Sequence, residues 1–551
     1  MSTAAAAPHR APHPVIWTIL YLPFGALGGF ISVAMMFMAT HSGLSITEGS
    51  LLGGAQMLSQ WLKWSWAPIV DVTSTPKRWY IFATAASAVG VFSLAAVPLG
   101  PDTLPLVLGI IAVASLINTI VGMAIEAILA QTTTPGEEGR VSAWFQSGNL
   151  GGTGLGGALG LFLLERMDGW LVGVIMGSLF LACCTALMWV PDLVRTRHDG
   201  GAVAAVRQVF RDILALGKVR GGLLAALIVF LPLGTGAGQG TLVQATVAEV
   251  WGAGATQVEL VQGLLAGGVT VIGCFVGGWL CDRLHPRTAY ATIGLLLAGV
   301  GALMGLTTPG SPWAFEGTAP AIGWPDAGFG VPAMAASVWV YIFGNMSYSL
   351  VVGFAYAAFT AVVLNAIGSG SAATKYSLYA SLSNFPIWWL GLLLGRSADL
   401  YGPATMLYIE AAIAVIGVII FWVVVGTWHE PADATVEDDV EYLRQRYGSA
   451  WGLASRMRML STLAAITVWM LGGIQGVMAW NELEPAVAPA VWLGGSALLG
   501  VVLLFGGQVL GALVQASTDS ALLAAPLTRA EKMAVLRGSL PPAPPDTSIG
   551  E

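Results

Sequence analysis

The chain has 551 residues, of which 56% are hydrophobic and only 10% charged, with a formal net charge of −7 and a mean hydropathy of +0.75. So little charge cannot wet the surface of a water-soluble fold of this length, and the composition points to a polytopic membrane protein. The basic residues are scattered and never cluster among aromatics, so no nucleic-acid partner is expected.

Taking about 20 predominantly apolar residues as one helical span, the sequence predicts fourteen. They lie near 15–40, 50–70, 79–99, 105–130, 142–164, 170–190, 222–245, 256–280, 288–306, 334–364, 376–395, 404–426, 459–479 and 487–513. The runs are continuous and rich in Leu, Ala, Val and Gly, unlike the alternating segments of a membrane β-barrel, so the expected fold is all-α. The first run is too long for a signal-peptide core and lacks a clear cleavage site, and it reads as a retained span.

These spans group into a six-helix bundle over 1–190, a connector at 191–221 with an amphipathic stretch near Ala202 to Leu216, and a second six-helix bundle over 222–426. A charged linker follows at 427–458, then an additional hairpin at 459–515 and a Pro-rich tail at 516–551 of the composition expected for disorder. The connection 307–333, with Trp313, Phe315 and Trp324 among several prolines, reads as an outer loop with interfacial aromatics or a lid.

Basic residues set the expected orientation. Arg10, Lys77, Arg78, Arg140, Arg195, Arg197, Arg207, Arg211, Lys218, Arg220, Arg283, Arg287, Lys375, Arg444, Arg446, Arg456, Arg458, Arg529, Lys532 and Arg537 all fall on one side of the fourteen-span ladder. The other side receives only Arg166 and Arg396. The positive-inside rule makes the basic side cytoplasmic and places both termini there, in what reads as a bacterial inner membrane.

The halves echo one another. Glu48 precedes Asp71 by the same interval that separates Glu259 from Asp282, and Arg166-Met167-Asp168 after span 5 is matched by Arg396-Ser397-Ala398-Asp399 after span 11. Two related six-helix halves joined by a cytoplasmic connector are the layout of major facilitator transporters, whose sites lie between the halves near the bilayer midplane.

Several stretches carry a more specific likeness. Leu62-Lys63-Trp64-Ser65-Trp66-Ala67-Pro68-Ile69-Val70-Asp71 with Pro76-Lys77-Arg78 resembles span 2 and the following loop of AmpG-like permeases of the major facilitator superfamily. Ala373-Thr374-Lys375-Tyr376-Ser377-Leu378-Tyr379 and onward to Asn384 is similar to the start of span 11 in that family and in acetyl-CoA transporters. Pro135-Gly136-Glu137-Glu138-Gly139-Arg140 resembles the family's loop between spans 4 and 5, and Gly278-Trp279-Leu280-Cys281-Asp282-Arg283 the general superfamily loop between spans 8 and 9. The resemblance implies a transporter of muropeptides, siderophores or acyl-CoA-like solutes, proton-driven in the muropeptide importers, with two spans beyond twelve. It also implies that Asp71, Arg78, Glu138, Arg140, Asp282 and Arg283 form charge networks closing an inner gate. The muropeptide importers carry acid, Lys and acid near the end of span 4, whereas this chain keeps only Glu126.

An ionised group inside a span costs about 2.5–3.5 kcal/mol on insertion scales, so it marks a cavity or a partner. Lys63 and Glu126 are expected to pair and Glu126 to carry the coupling proton, since burial favours the neutral acid and a nearby ammonium the carboxylate. Glu410 in span 12 is a second proton candidate. Gln56, Gln60 and Lys63 share one helical face. With them, Tyr21, Asn118, Gln146, Asn149, Gln239, Asn345, Tyr348, Tyr379, Ser383 and Asn384 lie near the calculated midplane as cavity candidates, each also able to make an interhelical hydrogen bond. Asn384-Phe385-Pro386 is expected to break helix 11. The glycines of Gly152-Thr153-Gly154-Leu155-Gly156-Gly157 read as close helix packing or a hinge and not as a dinucleotide loop, because no strand precedes them. Those of Gly234 to Gly240 read as a bendable stretch of helix 7.

No metal or cofactor is expected. Cys183, Cys184, Cys274 and Cys281 have no CxxC spacing and read as packing residues. No span collects a nucleophile, a base and an orienting acid, which argues against an enzyme. The reading is a secondary transporter, a monomer taking a small solute and protons. An importer is favoured over a proton-antiport exporter, and the alternative of another class is a membrane scaffold or receptor that kept the fold.

Overall fold

The computed structural model describes residues 13–191, 220–426, 456–472 and 498–514, less scattered positions within 36–45, 134–135, 243–244, 255–264, 320–332 and 368–371, plus a few isolated positions. Helices dominate: α1 (Val15–Gly29, continued by a π turn Phe30–Met35), α2 (Ile46–Leu62), α3 (Ala67–Thr73), α4 (Pro76–Ala96), α5 (Leu104–Thr132), α6 (Glu138–Leu164) and α7 (Gly169–Cys183). After the connector come α8 (Arg220–Phe230), the short α9 (Gln239–Leu242) and α10 (Ala245–Ala248), then α11 (Ala266–Cys281), α12 (Pro286–Leu306), α13 (Ala336–Ile367) and α14 (Ala372–Gly426). Among the described residues, seven helices are long and apolar enough to cross a membrane, and three shorter apolar helices accompany them. Most of the fourteen expected spans have described helix, while much of the last two lies outside the described residues.

Two compact units make up the chain: residues 1–209, 232–365 and 369–415, and residues 210–231, 366–368 and 416–551. In the first, α4 has the polarity of a lipid-facing helix. It buries Thr84 and Ser87 with Tyr80 and Val91, and exposes Ile81, Phe82, Val89 and Phe92. Beside it, α1 and α6 meet through small residues, because Gly148, Gly152, Gly156 and Gly160 recur every four positions along α6 and face Thr18, Leu22, Ala26 and Phe30 of α1. This is ridge-into-groove packing of two i+4 rows, and any side chain at Gly156 would collide with the Ala26 backbone. Close packing is therefore the role of that glycine run. In the second unit, Phe230 stacks on Trp469 at 5.9 Å, and Gln508 Nε2 donates to Thr462 Oγ1 at 3.4 Å.

The structure departs from expectation at four places. Expected span 7 is not one helix: the chain leaves α8 after Phe230 and runs without helix to Gln239, with Gly236 at φ 67°, a conformation that side-chain-bearing residues avoid. Helix 11 is not broken at Pro386, because proline removes a single N–H and α14 continues through it. The reversal comes instead at Gly402, at φ 81°, where spans 11 and 12 join. The connection after α12 is not purely irregular, since Thr318–Ala319 (β1) pairs antiparallel with Met334–Ala335 (β4), and Ile322–Trp324 (β2) with Phe329–Val331 (β3). Lys375 and Arg458, counted as loop residues from the sequence, are buried on helices. Of the sequence echo, Glu259 falls outside the described residues, as do the side chains of Glu48, Asp71, Arg396 and Asp399.

Candidate functional site

At the site, α2 gives way at Leu62 to a tight 3-10 turn, Lys63–Ser65, before α3 resumes with Pro68 in its first turn. The turn presents Lys63, only 3% exposed, to Glu126 of α5, only 1% exposed, and Nζ lies 2.9 Å from Oε1. The pairing expected from sequence is formed. The second carboxylate oxygen, Oε2, is buried and has no hydrogen-bond partner among the described residues. Tyr21 and Tyr376 border the carboxylate, and Lys63 Nζ sits 5.8 Å from the centre of the Tyr376 ring.

This ion pair opens on a cavity of about 270 Å³. Nine of the expected residues line it: Tyr21, Gln56, Gln60, Lys63, Glu126, Gln146, Asn149, Ser383 and Asn384. One wall is a polar chain in which Asn149 Nδ2 donates to Gln146 Oε1 at 3.0 Å and Gln146 Nε2 donates to Thr360 Oγ1 at 2.7 Å, with Thr360 Oγ1 3.0 Å from the Tyr376 hydroxyl. Tyr21 is held between Phe24 and Phe145, its ring centre 4.7 and 3.9 Å from theirs. Gly234 and Thr235 of the unwound stretch, Tyr290 of α12 and Tyr356 of α13 complete the walls. Sequence reasoning missed Tyr376, although a signal existed: positions 376, 380, 383 and 387 are one helical stripe of α14, and all four line the cavity.

The remaining cavity candidates lie elsewhere. Asn118 Nδ2 donates to the Phe24 carbonyl at 2.9 Å and fastens α5 to α1. Gln239 Nε2 donates to Ser349 Oγ at 2.9 Å, and Asn345 Nδ2 donates to the Tyr341 carbonyl of its own helix at 2.9 Å. Tyr379 is buried on α14 outside the cavity lining. Tyr348 donates its hydroxyl to Glu410 Oε1 at 2.6 Å, and the same oxygen accepts from the Gly238 amide at 3.1 Å. Glu410 thus holds the unwound stretch to α13 and α14 and does not line the cavity.

The residues expected at an inner gate make other contacts. The side chain of Asp71 lies outside the described ones, and Arg78 is exposed. Among the described residues, no ion pair joins Arg78, Glu138, Arg140, Asp282 and Arg283. Instead Asp282 Oδ1 accepts from the Arg140 amide at 3.2 Å, so the carboxylate caps the first turn of α6, where free amides and the helix dipole favour an anion. Gly139 and Gly278 let α6 and α11 touch there. Glu138 Oε2 accepts from the Gly136 amide at 2.7 Å, and Arg283 lies 3.9 Å from the Trp279 ring centre. Burial pushes the Asp282 carboxyl above its usual range, against the amides of Arg140 and Gly139 and the Arg140 charge.

Residues 17–384 match the Major Facilitator Superfamily over two thirds of the chain. The chain belongs to the major facilitator superfamily. As a member, it is a membrane transporter. Its fold is similar to that of a singly substituted form of the Escherichia coli fucose:proton symporter FucP, with 14% identity, a TM-score of 0.53 and coverage of 74% of this chain and 98% of that one. An outward-conformation structure of FucP gives 15% identity and a TM-score of 0.54 over 74% and 97% of the two chains. The proton:xylose symporter XylE, bound to 6-bromo-6-deoxy-D-glucose, gives 13% identity and a TM-score of 0.51 over 78% and 98%.

Proposed function

We propose that this facilitator is a proton-coupled importer of a polar organic solute, working by alternating access with the 270 Å³ cavity as its solute site. The observation that carries the reading is the buried Lys63–Glu126 pair lining that cavity, with one carboxylate oxygen unpaired. A carboxylate in such a position can take a proton from one side of the membrane and release it to the other, because its ion-pair partner among the described residues is a single lysine among amides and phenols. The amide and hydroxyl walls suit a solute rich in hydroxyl or amide groups. The motifs around Lys63–Asp71 and Ala373–Asn384 support placing the chain among the AmpG-like permeases, with muropeptide-like, siderophore or acyl-CoA-like solutes as its substrate range.

The asymmetry of basic loops supports cytoplasmic termini and fourteen spans in a bacterial inner membrane. In that orientation the α6–α11 contact at Gly139 and Gly278 closes the cytoplasmic side, and the two halves part there to release solute. With a neutral solute, one proton moving inward through 100 mV contributes about 2.3 kcal/mol to accumulation. Comparing compounds accumulated by cells with and without the protein identifies the solute. Its uptake into proteoliposomes is expected to follow an imposed proton gradient in the wild type and to lose that dependence in Glu126→Gln. Coupling that is unchanged in the variant removes Glu126 from the role.

A further inference from the structure

Charge inside the cavity is confined to one place. Among the described residues its lining holds a single cation, Lys63, and a single carboxylate, Glu126, and every other described lining side chain is an amide, a hydroxyl, a phenol or apolar. Lys63 is 3% exposed and its only hydrogen bond among the described residues is to Glu126 Oε1. When Glu126 takes up a proton, the ammonium is left buried without a counter-charge, a state that interiors strongly disfavour. Among the described residues nothing else in the lining can neutralise it: the other titratable groups there are Tyr21 of α1, Tyr290 of α12, Tyr356 of α13 and Tyr376 of α14, phenols that stay neutral at physiological pH.

We infer that the solute carries one negative charge, and that its anionic group takes the place of Glu126 on Lys63 when Glu126 is protonated. The inference rests on the proposed transport role of the cavity and narrows the solute range proposed above, excluding polyanions such as an acyl-CoA and naming a monoanion such as a carboxylate with hydroxyl or amide groups. The balance is simple. Before loading, the cavity is neutral through Lys63 and the Glu126 carboxylate. After loading, one proton on Glu126 and one negative charge on the solute leave it neutral again. Proton and anion therefore favour each other's binding by the same factor. The loaded carrier moves no net charge, so uptake follows the pH gradient and not the membrane voltage. The unpaired Gln56 Oε1 and the Asn149–Gln146 amides are placed to accept and donate to the neutral remainder of the solute.

The test uses the purified full chain and matched acid and neutral probes: D-glucuronate with D-glucose, D-galacturonate with D-galactose, and L-lactate with 1,2-propanediol. Binding is followed by calorimetry, and folding of every variant by its melting temperature. Glu126→Gln, which fixes the protonated form, is expected to bind at least one acid probe at least about tenfold more tightly than the wild type at neutral pH. Lys63→Arg is expected to keep that affinity under acidic conditions. The Lys63→Gln/Glu126→Gln double variant, with a neutral pair of similar volume, is expected to fold and to lose the acid probe. Neutral probes binding as well as their acids, acid binding that survives in the double variant, or no acid probe bound by Glu126→Gln overturns the inference.

Transport separates this inference from the proposed function. Proton-driven uptake of neutral probes with a voltage-driven current on a supported membrane sinks the anion and leaves the importer standing. Acid probes that bind as expected but never follow a proton gradient sink the importer and leave the anion site standing. Acid uptake driven by the pH gradient without net current supports both.

Discussion

Among the described residues Lys63 has one ion pair, to Glu126, and that contact sets how the site responds to substitution. Lys63→Met strands a buried carboxylate beside no cation, and breaking one side of such a pair costs about 3–5 kcal/mol. The expected result is a clear fall in melting temperature and yield, with most of it restored when Glu126→Gln is added. A double variant as unstable as the single one argues that Lys63 acts through packing instead. Both members of the pair were legible in the sequence because each was an ionised residue inside an apolar run, and the period of α2 put Gln56 and Gln60 on the same face. Asn345, Gln239 and Tyr379 fall outside the cavity lining for a definite reason: depth along a span can be read from residue number, but the direction a side chain faces depends on how the helix is rotated against its neighbours. Asn345 faces its own preceding turn and bonds the Tyr341 carbonyl.

Between elements, the contacts are made by what the side chains leave out. Gly156→Leu would force α1 and α6 apart at Ala26, and overpacking of this kind costs about 1–3 kcal/mol. A lower melting temperature with unchanged expression of the message checks it, and an unaltered melt would show that the two helices separate freely. The end of α6 makes a second, pH-dependent contact. Because partial desolvation against α6 raises the exposed Asp282 carboxyl above its ordinary value, the arrangement with α6 and α11 in contact binds a proton more tightly than one in which Asp282 is fully solvated. Acidification from the neutral range therefore favours the α6–α11 contact, starting above the usual carboxylate range, and neutral pH favours its release. Spin labels on the ends of α6 and α11 should report shorter distances as pH falls, and Asp282→Asn should abolish that response. The sequence marked both partners of this contact but suggested ion pairs, since charge can be read from residue type whereas the free amides at the start of α6 appear only once the helix is placed. Helix 11 erred in the same way: Pro386 looked like a break, yet the chain turns at Gly402, where a residue without Cβ can hold φ 81°.

For the whole molecule, the match to the superfamily ends at residue 384 and the last described residue of the proposed solute cavity is Ile387, ahead of the helices at 456–472 and 498–514. A chain ending at residue 426 is expected to keep solute binding. It should melt at a lower temperature, because Phe230 loses its stack on Trp469. Loss of binding in a truncated chain that still folds would assign the last two helices a place in the site. The general plan, a series of apolar helical spans, was written in hydropathy. The unwinding between Phe230 and Gln239 was not, because apolar residues flank it on both sides and only the density of glycine hinted at it. That unwinding leaves the Gly238 amide with the Glu410 carboxylate as its acceptor in place of a carbonyl one turn back. Deuterium can replace the hydrogen on that nitrogen only when the acid lets go, so the labelling rate of the peptide spanning 234–240 times how often the seventh span comes loose from its neighbours, cycle by cycle, with no probe attached.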